Sequence, residues 1–187
     1  MQSIRLLAAG FTLAALSGCA SLVAPPYSAD YEALDRLKKM SLEKIAVNPV
    51  QPRDAAAPVN KITLRGASLV GSKGTFAEYL EDALIQDLRD ISLYDAGSGL
   101  RLDATILKND IDVSGLVNGT GQMDVEIAIG RSGKIALKKI YSASTRFDSS
   151  FAGAVAIPKG QAEYGNLVRT LLAKIYLDPD FINALKK

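Results

Sequence analysis

The sequence predicts an α+β domain: an antiparallel sheet with two main helices packed on one face, behind an N-terminal leader. Three observations carry this. Thr75 to Ile91 holds a helix-capping signal followed by an apolar stripe at helical spacing. Met123–Ile129 and Ile135–Phe147 read as strands joined by the turn Arg131-Ser132-Gly133-Lys134. Gln161 to Tyr176 is a second amphipathic stretch. A run of strands with a few flanking helices belongs to the α+β class.

The leader comes first. Leu6 to Leu16 is apolar and follows a short head carrying Arg5 and no acid, the layout of a secretory signal. It is too short to span a bilayer, which takes about 20 residues. Leu16-Ser17-Gly18-Cys19 then sets small residues before the only cysteine in the chain. This stretch resembles the lipobox of bacterial lipoproteins. The resemblance implies a diacylated Cys19, cleavage just before it, and acylation of the new amino group. The alternative is a free buried cysteine beside an ordinary signal peptide. The chain then divides into a lipoprotein signal peptide (1–18), an acylated tether (19–27) and a single periplasmic α+β domain (28–187). Ala20 after the cysteine, where an aspartate would retain the protein, implies by the same resemblance sorting to the periplasmic face of the outer membrane.

Ala20 to Pro26 is small and proline-containing and reads as the tether. Ser28 is placed to cap a helix over 29–43, with Tyr31, Leu34, Leu37 and Met40 inward. Lys44 to Val47 reads as a short strand stopped at Asn48-Pro49, and 51–58 as a loop. Ile62 and Leu64 mark one face of a strand over 60–65. A glycine-punctuated loop, 66–74, leads to Thr75 and Glu78, a capping box. Phe76, Leu80, Ala83, Leu84, Leu88 and Ile91 form the helix's inner stripe, with Glu78, Glu81, Asp82 and Asp87 on the remaining surface. The helix is expected to lie on a sheet.

Leu102, Ala104 and Ile106 alternate, then the phase shifts to Leu107, Ile111 and Val113, which predicts a bulge. Residues 116–121 read as a loop. The hairpin of 123–129 and 135–147 is expected at the centre of the sheet. Residues 148–160 read as a glycine- and alanine-rich loop before the second helix, and Asp178-Pro179 opens a short closing helix.

Composition narrows the chemistry. The chain has 187 residues and a formal net charge of +2, which becomes +1 once Arg5 leaves with the leader. That near-neutral balance argues against nucleic acid as a partner, which would need a clustered basic face. Histidine is absent and the one cysteine is assigned to lipid. The usual general base, the thiol nucleophile and imidazole or thiolate metal sites go with them. No cofactor and no metal site is expected.

The remaining motifs are weak. Gly66 to Lys73 looks like a phosphate loop, but Ser72 precedes Lys73 where lysine should precede the hydroxyl. Ser41-Leu42-Glu43-Lys44 matches S-x-x-K without the K-T-G strand that chemistry needs. Asn109, Asp110 and Asp112 offer oxygen ligands without an EF-hand glycine or terminal glutamate. Asp124 and Glu126 share a strand face, more simply its solvated side than an acid–base pair. The small apolar stretch at Ala152, Val155 and Ile157 is a candidate contact loop for lipid or a partner, the alternative being that it packs under the helix.

The order of elements behind the lipobox resembles the YajG-like family of outer-membrane lipoproteins. The supporting residues are Phe76 to Leu84, Leu102 to Ile106, Met123 to Ile129 and Asp178 to Leu185. More distantly the layout is similar to auxiliary lipoproteins of lipid and lipopolysaccharide transport. The resemblance brings no catalytic residues. It implies a non-enzymatic lipoprotein that binds or scaffolds an envelope protein partner or assembly complex. The alternatives are a lipid-binding accessory, which would need a cavity between sheet and helices, and an enzyme.

Overall fold

The computed structural model describes residues 21–186. The fold is α+β, as expected, but it holds two sheets. The larger has the order β2-β5-β6-β7, with β2 at Ala46–Val47, β5 at Leu100–Asp112, β6 at Asn118–Arg131 and β7 at Lys134–Asp148. Its three long strands are antiparallel, and β2 joins the outer edge of β5 in parallel. The smaller sheet has the order β1-β4-β3, with β1 at Ser21–Val23, β3 at Ile62–Leu64 and β4 at Ala67–Val70. The helices are α1 (Tyr31–Lys38), α2 (Phe76–Asp90), α3 (Gly153–Leu177) and α4 (Pro179–Ala184).

Alternation decides which face of the large sheet is dry. Leu102, Ala104, Ile106, Met123, Val125, Ile127 and Ile129 are buried, and the residues between them are exposed or half-buried. The phase shift in β5 is a bulge: Ile106 pairs with Val125 and Lys108 with Asp124, leaving Leu107 without a partner. Leu107, expected inward, is the extruded residue and is exposed, and Asn109 takes the inward place. The hairpin of β6 and β7 forms, but it is not the centre, because β7 is an edge strand. Lys134, Lys138 and Lys139 stud that edge, a common guard against pairing with another chain.

Both tight hairpins use two-residue turns with positive φ at each position, Arg65-Gly66 and Ser132-Gly133. Such turns match the right-handed twist of their strands. The first of them straddles the expected strand 60–65 and loop 66–74, and the loop contains β4. The expected loop 116–121 likewise gives its last four residues to β6, since Asn118 to Gly121 already pair with β7.

The capping box of α2 is present: Thr75 Oγ1 accepts from the Glu78 amide at 3.1 Å, and the Glu78 carboxylate accepts from the Thr75 amide at 3.3 Å. In α1 the cap is Asp30, not Ser28, with its carboxylate accepting from the Ala33 amide at 3.0 Å. The shorter helix turns Leu34 and Leu37 inward and leaves Tyr31 and Met40 exposed. Asp178 caps α4 with Pro179 at its first position, and Lys139 and Tyr141 of β7 both reach the Asp178 carboxylate, at 2.9 and 2.5 Å.

The largest departure is α3. The expected loop 148–160 becomes helix from Gly153 onward, running through Pro158. Pro158 is the sixth residue of the helix, so it forgoes the bond its amide would make to Ala154 O, a cost the packing of this segment offsets. Tyr164, Leu167, Val168, Leu171, Leu172 and Ile175 are fully buried against the sheet. Two glycines allow the close approach. A Cβ on Gly160 would stand 2.5 Å from Val113 Cγ1, and one on Gly121 would stand 3.3 Å from Leu167 Cδ2. Gly160→Val should therefore overpack this contact and lose about 1–3 kcal/mol, read as a lower urea midpoint with an unchanged slope.

Candidate functional site

Leu16, Ser17, Gly18 and Cys19, the predicted cleavage and lipidation residues, lie outside the described residues. The chain from Ser21 onward is not a free tether. Ser21–Val23 is β1, paired in parallel with β4 through Ser21–Ser68, Leu22–Leu69 and Val23–Val70. Ala24 is buried, and its amide donates to Val70 O at 2.8 Å. Pro25 O accepts from Tyr79 Oη at 2.9 Å, and burial pushes that phenol up to about 12. Gln161 of α3 donates to Val23 O at 2.7 Å. The small, proline-containing composition that suggests a linker also suits a chain lying flat on a packed surface.

Tyr27 completes this docking, and it does so on Asp87. The periodicity of α2 puts Asp87 on its polar surface, yet Asp87 is fully buried. Tyr27 Oη donates to Asp87 Oδ2 at 2.7 Å. Among the described residues Oδ1 has no hydrogen-bond partner, and the Tyr176 hydroxyl lies near the carboxylate without reaching hydrogen-bonding geometry. Burial raises the carboxyl to about 6, opposed by the tyrosine hydroxyls and reinforced by Asp90 and Asp30. The only sequence sign was an acid beside the apolar stripe, and nothing local said that residues 24–27 would cover it.

The candidate contact residues Ala152, Val155 and Ile157 belong to the start of α3 rather than to a loop. Ala152 is its N-cap residue and exposed, Val155 is exposed, and Ile157 is half-buried against the core. Arg65, at the β3–β4 turn, holds this region in place. Its Nε and Nη2 donate to Val113 O at 3.0 and 2.8 Å, Nη2 also donates to Ser150 O at 2.7 Å, and Nη1 donates to Phe151 O. Ser149 N donates to Val117 O at 2.6 Å, joining the end of β7 to the β5–β6 connection. Around this clamp Leu116, Val117, Phe151 and Val155 are 67, 68, 79 and 44% exposed. These side chains carry no periodic signal, and Leu116 and Val117 lie far in sequence from Phe151 and Val155.

The other sequence candidates separate. Lys73 pairs with Asp82 at 2.8 Å beside the β3–β4 hairpin. Ser41 and Lys44 lie on extended chain, not on one helical turn. Asn109 faces the core, donating to Val59 O at 2.9 Å, whereas Asp110 and Asp112 are exposed. Among the described residues no group of three or more acidic side chains converges as a metal would require. Glu126 pairs with Lys138 at 3.3 Å on the outer face of the sheet, beside half-buried Asp124. At the opposite end from Arg65, a depression of about 480 Å³ is lined by residues including Glu43, Leu100, Arg131, Ile135, Ala136 and Ala184. No helix among the described residues is long and apolar enough to cross a membrane.

No family model matches the chain, and no curated protein matches it. Among solved structures, protein XCC0632 from Xanthomonas campestris, of family DUF330, is similar with a TM-score of 0.55 at 10% identity, over 84% of this chain and 95% of that one. A protein of Caulobacter crescentus CB15, provisionally described as a lipoprotein, follows with a TM-score of 0.48 at 14% identity, over 83% and 96%. Lipoprotein GNA1162 from Neisseria meningitidis gives a TM-score of 0.28 at 14% identity, over 62% and 92%. The first likeness carries the fold alone, and the other two are too weak to argue from. The YajG-like resemblance rests on the residue pattern.

Asp87 generates a pH signature. Unfolded, it titrates near the ordinary 3.8; folded, near 6. Below about 4 both states hold the proton. Between those values the unfolded chain ionises first, so the folded state loses stability as pH rises, in all on the order of 3 kcal/mol by pH 7. Asp87→Asn removes this titration, so its stability relative to the parent should climb between about pH 4 and 6 and level off above. Urea unfolding across that range checks it; a difference independent of pH would refute the assignment.

Proposed function

We propose that the chain is a lipoprotein of the bacterial envelope. Cys19 anchors it to the periplasmic face of the outer membrane, and the folded domain binds or scaffolds a protein partner there without catalysing a reaction. The carrying observation is the placement of Leu16-Ser17-Gly18-Cys19, with the chain's only cysteine, two residues ahead of a strand built into the domain. An anchor at that point holds a folded body, and two or three acyl chains make a stable attachment where one is marginal.

Partner binding is favoured over lipid carriage by how the space between sheet and helices is filled. Leu102, Val125, Ile127, Tyr164, Leu167 and Leu171 are all fully buried in it. The surface offers instead the depression beside Leu100 and Ile135, the kind of feature a protein partner uses. An enzymatic role would need convergent polar groups in a pocket, and Asp124, Glu126, Asp110 and Asp112 are spread over a solvated surface.

The test is native purification from the organism's envelope in mild detergent, followed by mass spectrometry. The expected result is acyl mass on Cys19 and a stoichiometric protein partner. Cys19→Ser should abolish the acyl mass and move the protein from the membrane to the soluble fraction. An unmodified Cys19 in the parent overturns the anchor, and stoichiometric lipid without a protein partner favours the carrier reading.

A further inference from the structure

We infer that the domain rests on the anchoring bilayer by one defined end, with Leu116, Val117, Phe151 and Val155 inserted at the boundary between headgroups and acyl chains. The inference depends on acylation of Cys19 as proposed above. It adds the membrane-facing surface and the orientation of the domain.

The direction of β1 locates the anchor. β1 runs parallel to β4, with Ser21 opposite Ser68, and β4 starts at Ala67, straight after the Arg65-Gly66 turn. Ser21, the first residue of β1, thus lies at the turn end of the small sheet. Cys19 is joined to Ser21 through a single residue, and two residue steps reach no more than about 7 Å. The same turn carries Arg65, whose guanidinium is bonded to the carbonyls of Val113, Ser150 and Phe151. The anchor and the four exposed apolar side chains therefore share an end.

Two features select the bilayer as occupant. The acyl chains already hold this end against lipid, so even a small apolar surface engages at a high effective concentration. The charges around it are mixed: Asp112 is exposed and Asp148 half-buried, Lys159 is exposed, and Arg65 is committed to carbonyls. Apolar insertion rather than attraction to anionic headgroups then provides the contact, which should vary little with the fraction of anionic lipid. β5, with 13 residues, extends away from this end. At about 3.3 Å per residue the Ser132-Gly133 turn and the depression beside it stand on the order of 40 Å from the membrane, facing the periplasm.

The acylated full-length mature protein is reconstituted into vesicles of phosphatidylethanolamine and phosphatidylglycerol. A polarity-sensitive dye is placed in turn at Phe151→Cys, Leu116→Cys and Ser132→Cys. Dyes at 151 and 116 should shift to the blue and be quenched by brominated acyl chains, and the dye at 132 should do neither. Amide hydrogen exchange on the unlabelled protein should show new protection over 114–118 and 149–155 on vesicles. If Cys19 is acylated and the protein floats with the vesicles, yet all three dyes stay aqueous and exchange is unchanged, the inference fails and the anchor stands. Protection seen only with cross-linking between copies also overturns it, in favour of self-association. Absence of acyl mass and of flotation overturns the anchor and the inference together.

Discussion

The inner face of β5, β6 and β7 has to be kept from water along its whole length, and most of the architecture answers that need. β7 has 15 residues, roughly 50 Å of strand. A helix confined to 161–176 would cover only about 24 Å of it. With 25 residues α3 reaches about 38 Å, and α4 folds back at the far end to place Phe181 and Leu185 in the core. The first turns of α3 are poor helix by composition, with Gly153, Pro158 and Gly160 among eight residues and no side-chain cap. They are helical because Ala156 and Gly160 must close the core against Ile111, Val113 and Leu64. Tertiary packing overrides local propensity there.

That override marks the boundary of what could be read from residues alone. The α2 helix was legible because its capping box and stripe are local and agree with each other. The β5 bulge was legible because a change of phase in an alternating run has few other causes. The Asp178-Pro179 restart was legible for the same reason as the capping box. Three other features depend on partners distant in sequence. Ser21 to Tyr27 looks like a linker until Ser68 to Val70 offers a strand edge. Asp87 looks solvated until Tyr27 and Tyr176 arrive over it. Leu116 and Phe151 are unremarkable in sequence until Arg65 draws their loops together. Ala152, Val155 and Ile157, read from the sequence as loop, form the N-cap and first turns of α3.

Asp87 shows what this long-range closure costs. A fully buried carboxyl with one of its oxygens unpartnered is destabilising when charged. Protonation relieves the charge, which is why burial raises the carboxyl to about 6. The segment that covers it, residues 24–27, follows directly on β1. Docking of that segment and the protonation state of one side chain are thereby linked.

The parallel pairing of β1 with β4 also has a mechanical meaning. Tension on the chain at Cys19 would be drawn along the axis of β1. Its hydrogen bonds to β4 lie across that axis, so they would share the load in shear instead of opening one after another as at the end of a hairpin. The buried Ala24 and the Tyr27–Asp87 bond lie next in line behind them. Force applied there would thus reach the core through a strand seated for strength, and the domain would shift as a body before its N-terminal edge began to peel.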